Sequence, residues 1–113
     1  MTTLRRSVRD ILLWLIGRRR RFIIQGDSML PTLEPGEWVL VEPDFYDQEL
    51  PEPGQVVLVE HPHRDGYIMI KRIASVEEER VTVLGDNPAN STDSRHFGPV
   101  HKDQLRARVW SRL

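Results

Sequence analysis

The stretch Gly26-Asp27-Ser28-Met29-Leu30-Pro31-Thr32-Leu33-Glu34-Pro35-Gly36 places a serine between a Gly-Asp pair and a short apolar-Pro-Thr run. Glycine tolerates positive φ and proline fixes its own, so the backbone is predicted to bend tightly and to project the Ser28 hydroxyl from a loop. An exposed serine becomes a nucleophile only where the chain also supplies a base and groups that orient it. Those partners have to come from elsewhere in the chain.

On both sides of the turn the texture is β-like: short apolar runs separated by Pro and Gly, the pattern of an antiparallel sheet protein. Phe22 to Gln25 leads in, and Trp38 to Glu42 leads out with Val39 and Val41 on one face and Trp38, Leu40 and Glu42 on the other. Residues 43–54 read as a Pro-rich loop. Gln55 to Glu60 and Tyr67 to Val76 are predicted to form a hairpin across His61-Pro62-His63-Arg64-Asp65-Gly66. Glu77-Glu78-Glu79 reads as a solvated turn before Arg80 to Leu84, residues 85–99 as a polar loop, and Arg106 to Arg112 as a closing strand. The expectation is one mainly β domain over residues 22–113.

At 113 residues there is room for one small core. With no cysteine, a disulfide framework, a thiol nucleophile and a Cys-based zinc site are excluded. The net charge of −1 conceals a split, because residues 1–21 carry seven arginines and one aspartate and the remaining chain is correspondingly acidic. Leu4, Val8, Ile11, Leu12, Leu15 and Ile16 recur at helical spacing, so residues 1–21 are predicted to be a basic amphipathic helix or arm. Its apolar run from Ile11 to Ile16 is far short of the about 20 residues that a spanning helix needs. Docking on the protein's own core and peripheral contact with a membrane surface both fit this arm. Nucleic acid is not the expected partner, since no aromatic interleaving or binding motif accompanies the arginines.

Lys71 is the candidate base. Period-2 alternation in Tyr67-Ile68-Met69-Ile70-Lys71-Arg72-Ile73 puts it with Tyr67, Met69 and Ile73, while Arg72 shares the other face with Ile68 and Ile70. One of the two cations must therefore meet apolar surroundings. A lysine accepts a proton from serine only when deprotonated, and burial lowers its pKa toward that state. An edge-strand lysine pointing to water is the ordinary alternative. The third element is Gly85-Asp86-Asn87-Pro88-Ala89-Asn90-Ser91-Thr92-Asp93-Ser94-Arg95-His96-Phe97-Gly98. A hydroxyl such as Ser91 can orient a neutral lysine without the carboxylate that would raise its pKa, and Asp93 with Arg95 makes an ion pair suited to stiffening the loop. A plain surface turn is the competing reading.

Taken together, Gly-Asp-Ser-Met-Leu-Pro-Thr-Leu at 26–33, Pro-Gly-Gln-Val-Val at 53–57, Ile-Lys-Arg-Ile at 70–73 and the loop at 85–98 resemble, in order, the type I signal peptidase family of serine–lysine endopeptidases. The resemblance implies a signal-peptidase-like antiparallel sheet, Ser28 as nucleophile, Lys71 as general base, Ser91 as the residue orienting that lysine, and Asp93 and Arg95 as loop supports. It implies an oxyanion site at the turn Gly26, Asp27 and Ser28, using the Ser28 backbone N–H, and substrate contacts at Met29 and Pro31. No cofactor is implied. Some members add a side-chain hydroxyl two residues before the nucleophile, where this chain has Gly26. It also lacks the large insert many members carry after the lysine strand, and it has Gln55 where an aspartate is common.

The short chain with an Arg-rich, Leu-Trp-containing N-terminus looks most like the nickel-type superoxide dismutase maturation peptidases. That resemblance implies removal of a short N-terminal extension from the dismutase precursor, in a cytoplasmic setting with possible membrane association. Signal peptidase activity on secretory preproteins, a non-catalytic peptide-binding module and a self-cleaving regulator are the alternatives. The last would call for a DNA-binding helix-turn-helix, which the sequence does not offer. His61, His63, His96 and His101 lack ligand spacing, so no metal site is read from them.

Overall fold

A computed structural model describes residues 20–113. Strands β1 (Arg20–Ile23), β2 (Trp38–Glu42), β3 (Val56–Glu60), β4 (Ile68–Glu77), β5 (Arg80–Leu84), β6 (Val100–His101) and β7 (Leu105–Arg112) form one sheet. Their order is β1-β2-β7-β3-β4-β5-β6, with every neighbouring pair antiparallel. The mainly β antiparallel fold read from the sequence is what the chain adopts.

The centre of the sheet is β3, whose Val-Val-Leu-Val run has no polar alternate. Strands covered on both faces read this way. Val56 and Leu58 join Ile24, Leu33, Val41 and Ile70 in one core; Val57 and Val59 join Met69, Ile73, Val81 and Val83 in a second. The sheet curls so that each face closes on its own set. A register shift between β3 and β7 pairs Leu58 with Ala107 but Val59 with Leu105, which sends Ala107 into the first core and Leu105 into the second.

Two stretches read as loops contain short helices. α1 (Phe45–Gln48) sits between β2 and β3, and α2 (Ser94–Phe97) between β5 and β6. Asp93 is the N-cap of α2, its side chain accepting from the Arg95 N–H while the His96 ring accepts from the Asp93 N–H. Such a reciprocal cap is hard to see in a segment otherwise made of turn formers. The helix expected over residues 4–16 lies outside the described residues, whereas Arg20 and Arg21, read as part of the arm, belong to β1. Among the described residues no helix is long and apolar enough to cross a membrane.

Two features place the site. The excursion 25–36 is closed at its neck by hydrogen bonds from Ile24 N to Glu37 O and from Gly36 N to Ile24 O, both 2.8 Å. On β4, pairing with β3 covers Ile68 to Arg72, but pairing with β5 begins only at Arg72. Among the described residues, the backbone from Ile68 to Lys71 therefore has no strand partner on its second side.

Candidate active site

Gly26, at φ +73°, turns the chain into Asp27-Ser28, and the turn is held by Leu30 N donating to Asp27 O at 3.2 Å and Leu33 N to Met29 O at 2.9 Å. Met29 and Leu33 anchor it from below, both buried in the first core. Ser28 stays half-buried at the lip of a cavity of about 280 Å³. A second cavity of about 180 Å³ adjoins it, bordered by Phe22, Ile68 and Ile70, and Ser28 and Lys71 line both.

Lys71 is only 4% exposed, paired in register with the buried Val57 and on the same strand face as Met69 and Ile73. Burial lowers its pKa; Asp93 pulls it back up and Arg95 pushes it down again. Among the described residues it makes no salt bridge. Arg72, on the opposite face, donates from Nε and Nη2 to Asp86 at 2.9 and 2.8 Å and from Nη1 to Gly54 O at 2.8 Å.

Behind the lysine lies a buried polar cluster. The Ser91 hydroxyl donates to Asp93 Oδ2 at 2.7 Å, the Gly85 N–H donates to the same oxygen at 2.9 Å, and Arg95 Nε donates to Oδ1 at 3.0 Å. Burial alone would raise the Asp93 pKa, yet the hydrogen bonds from Arg95, Gly85 and Ser91 outweigh it and hold the carboxyl well below the usual range. Because the Ser91 proton is committed to Asp93, any further hydrogen bond at its oxygen must be accepted, which is what a lysine N–H offers.

Gly85 ties these parts together. A Cβ built there would lie 2.2 Å from Ser91 Oγ and 2.7 Å from Ser28 O, so the backbone of the loop, the second serine and the serine turn meet where only glycine fits. The same loop grips the turn further on. Asn87 N donates to Ser28 O at 2.8 Å, Asn87 Nδ2 to Asp27 O at 3.0 Å, Asn90 Nδ2 to Asp27 Oδ2 at 2.9 Å, and Thr32 Oγ1 to Asp86 Oδ2 at 2.6 Å. The Asp27 carbonyl and the Ser28 N–H belong to one planar peptide, so the Asn87 amide that holds the first also aims the second.

The structure thus brings Gly26, Asp27, Ser28 and Lys71 to one cavity and sets Ser91, Asp93 and Arg95 behind it. It does not bring Met29 or Pro31 there. Met29 is buried in the core beneath the turn, because successive side chains in so tight a bend point apart, and Pro31 is exposed and lines neither cavity. Thr32, Gly85, Asp86, Asn87 and Asn90, which the sequence marks only as motif and turn residues, join the loop to the serine turn. Gln55, the departure from the family's aspartate, accepts from Tyr46 OH at 2.8 Å and Glu52 N at 3.0 Å through its amide oxygen, serving as a neutral acceptor. His61 and His63 stand 6.0 Å apart ring to ring, and among the described residues no three His, Asp or Glu side chains gather as metal ligands.

The curled antiparallel sheet thus carries a serine turn and a buried lysine that open on one cavity. The chain belongs to the signal peptidase, peptidase S26 family, whose profile matches residues 11–82 and 73–113. It is 32% identical to mitochondrial ATP-independent inner membrane protease subunit 1b of Arabidopsis thaliana, over 78% of this chain and 66% of the relative. Subunit 1a of the same plant is 33% identical over 77% and 68% respectively. Mitochondrial inner membrane protease subunit 1 of Mus musculus is 25% identical over 78% and 65%. The chain spans about two thirds of the length of these curated relatives.

Proposed function

We propose that this protein is a serine endopeptidase working through a Ser28–Lys71 dyad, and that it removes an N-terminal propeptide. The observation that carries the proposal is Lys71: a lysine buried among Val57, Met69 and Ile73, with its pKa lowered, opening on the same cavity as a turn serine. In the reaction, neutral Lys71 Nζ takes the Ser28 hydroxyl proton as Oγ bonds to the scissile carbonyl carbon, and the oxyanion is held by the Ser28 N–H. Collapse breaks the C–N bond, with the lysine returning its proton to the leaving amine. The same Nζ then deprotonates water, which attacks the acyl-enzyme ester and releases Ser28 with its proton restored. Ser91 accepts a hydrogen bond from the lysine and directs its lone pair. Asp93 and Arg95 hold Ser91, with Arg95 offsetting the field of Asp93 on the lysine.

Substrate enters as an extended strand along the open side of Ile68–Lys71, with small apolar residues before the cut bond filling the smaller cavity. The preferred substrate is a nickel-type superoxide dismutase precursor, a choice supported by the Arg-rich, Leu-Trp-containing stretch that leads into the serine motif. A second reading, processing of exported preproteins at a membrane face, is favoured by the relatives' names as inner membrane proteases and by the basic arm.

The test is cleavage of a purified dismutase precursor and a secretory preprotein by the wild type, Ser28→Ala and Lys71→Ala, with N-terminal sequencing of products. Lys71→Ala is expected to lose about 10²–10⁴-fold in rate, and Ser28→Ala, which has no nucleophile, up to about 10⁶-fold. Cutting of the preprotein alone selects the second reading. Retained cutting in Lys71→Ala sinks the dyad.

A further inference from the structure

The two cavities that share Ser28 and Lys71 have unlike walls. Phe22, Ile68 and Ile70 border the smaller; Asp27, His61, Arg64, Asn90 and Thr92 border the larger. A peptide whose cut bond lies at Ser28 meets both walls, the smaller cavity adding the apolar residues and the larger the polar ones. Small apolar residues before that bond match the smaller cavity, which leaves the larger to the residues that follow it.

Arg64 dominates the polar wall. It projects from the turn joining β3 to β4, with its guanidinium 4.0 Å over the Tyr67 ring. The turn itself is fixed, with His61 N donating to Tyr67 O at 2.9 Å, Tyr67 N to Arg64 O at 3.2 Å and Gly66 N to Glu60 Oε2 at 2.7 Å. Arg72, Arg95, Arg106, Arg108 and Arg112 each pair with a carboxylate, whereas Arg64 has none among the described residues. The acid on this wall, Asp27, has Oδ2 engaged by Asn90.

His61 completes the group. Its ring packs 4.8 Å from Phe97, and its Nδ1 accepts from the His63 N–H at 3.0 Å, which puts the proton of the neutral ring on Nε2. Burial first, then the charges of Arg64 and His63, lowers its pKa and favours that neutral form.

We propose that this wall is a subsite for an acidic side chain among the residues just after the cut bond, with Arg64 as the cation that reads it and His61 as a hydrogen-bond donor. The proposal rests on the Ser28–Lys71 reading. A carboxylate takes two parallel hydrogen bonds from a guanidinium, and a lysine or arginine placed there meets like charge, so the subsite both selects and rejects. Arg64 is exposed, so the effect is moderate and weakens with salt.

The experiment uses peptides identical except for Asp, Asn or Lys at each of the first three positions after the cut bond. The ratio of kcat/KM for Asp over Asn is measured within wild type, Arg64→Gln and Arg64→Glu, so that changes in overall activity cancel. A wild-type ratio of about five is expected at one position, falling to near unity in Arg64→Gln and giving way to a preference for Lys in Arg64→Glu. Binding of the same peptides to Ser28→Ala, followed by fluorescence anisotropy, should rank them in the same order. A ratio near unity at all three positions, matched by equal binding, overturns the subsite. A preference that survives in Arg64→Gln removes Arg64 from it. If wild type cuts none of the peptides while Ser28→Ala still prefers Asp, the peptidase reading falls and takes with it the subsite's place after a cut bond, leaving Arg64 only as a carboxylate-binding cation.

Discussion

Lys71 and Arg72 are consecutive residues of β4, and the two faces of the strand treat them in opposite ways. Arg72 meets Asp86 and the Gly54 carbonyl, so its charge is matched and its geometry is fixed. Lys71 faces Val57 across the sheet with Met69 and Ile73 beside it on its own face, and the carboxylate nearest in effect, Asp93, is already engaged by Arg95. A counter-ion keeps a cation charged and makes it a strut; withholding one lets burial push the group toward its neutral form. Side-chain chemistry reinforces the contrast, because a guanidinium does not give up its proton in a protein and an ammonium does.

The strongest way to break the contrast is Lys71→Met. Cleavage is expected to fall by about 10²–10⁴-fold, while stability at neutral pH rises by about 1 kcal/mol. The sign follows from linkage. With its folded-state pKa lowered from 10.5, Lys71 binds its proton more firmly in the unfolded chain, which depresses wild-type stability below that pH. The advantage of the methionine variant should therefore shrink as pH rises through the window that ends at 10.5, and urea unfolding at several pH values would reveal it. A uniform loss of stability would contradict it.

On the other face, Asp86→Ala strands Arg72 and removes the acceptor of Thr32. We expect about 2 kcal/mol of destabilisation, read from the same unfolding curves, and a change near zero would reduce the pair to an incidental contact. Asn87→Ala probes the join between the faces. It frees the Asp27–Ser28 peptide plane, so kcat should drop about ten-fold with KM little altered, and affinity for a peptide boronate should drop in parallel. Equal effects on kcat and KM would instead point to substrate binding. The smallest change expected is with Arg95→Gln. Removing the guanidinium leaves Asp93 to raise the Lys71 pKa, so the acidic limb of kcat/KM against pH should move upward, lowering activity at neutral pH by a few-fold; a limb that stays put would dissociate Arg95 from the lysine.

Much of this was legible in one dimension. Period-2 alternation assigns Lys71 and Arg72 to opposite faces without knowledge of what covers either, and the order of the serine, lysine and Asp93 motifs suffices for the family. The grip of the loop on the serine turn is not legible, because its partners stand 54 residues apart for Thr32 and Asp86 and 60 for Asp27 and Asn87. Asn87 and Asn90 carry the composition of any turn, and nothing local marks them as gripping another loop. Met29 is given to the substrate by the family resemblance, whereas in this chain the bend turns it into the core. Arg64 was hidden for the converse reason, as a turn residue whose neighbours in space come from the serine turn and the loop before α2.

Gly85 has a practical consequence for spectroscopy. Its amide proton points at the buried Asp93 carboxylate, and the space a side chain would need is filled by the Ser91 side chain and the Ser28 carbonyl. A hydrogen bond to a charged acceptor shifts an amide resonance downfield, and glycine nitrogens resonate apart from most others. One backbone cross-peak can therefore follow the ionisation of Asp93 and the occupancy of Ser28 in the intact protein, with no label placed on any residue that takes part in the reaction.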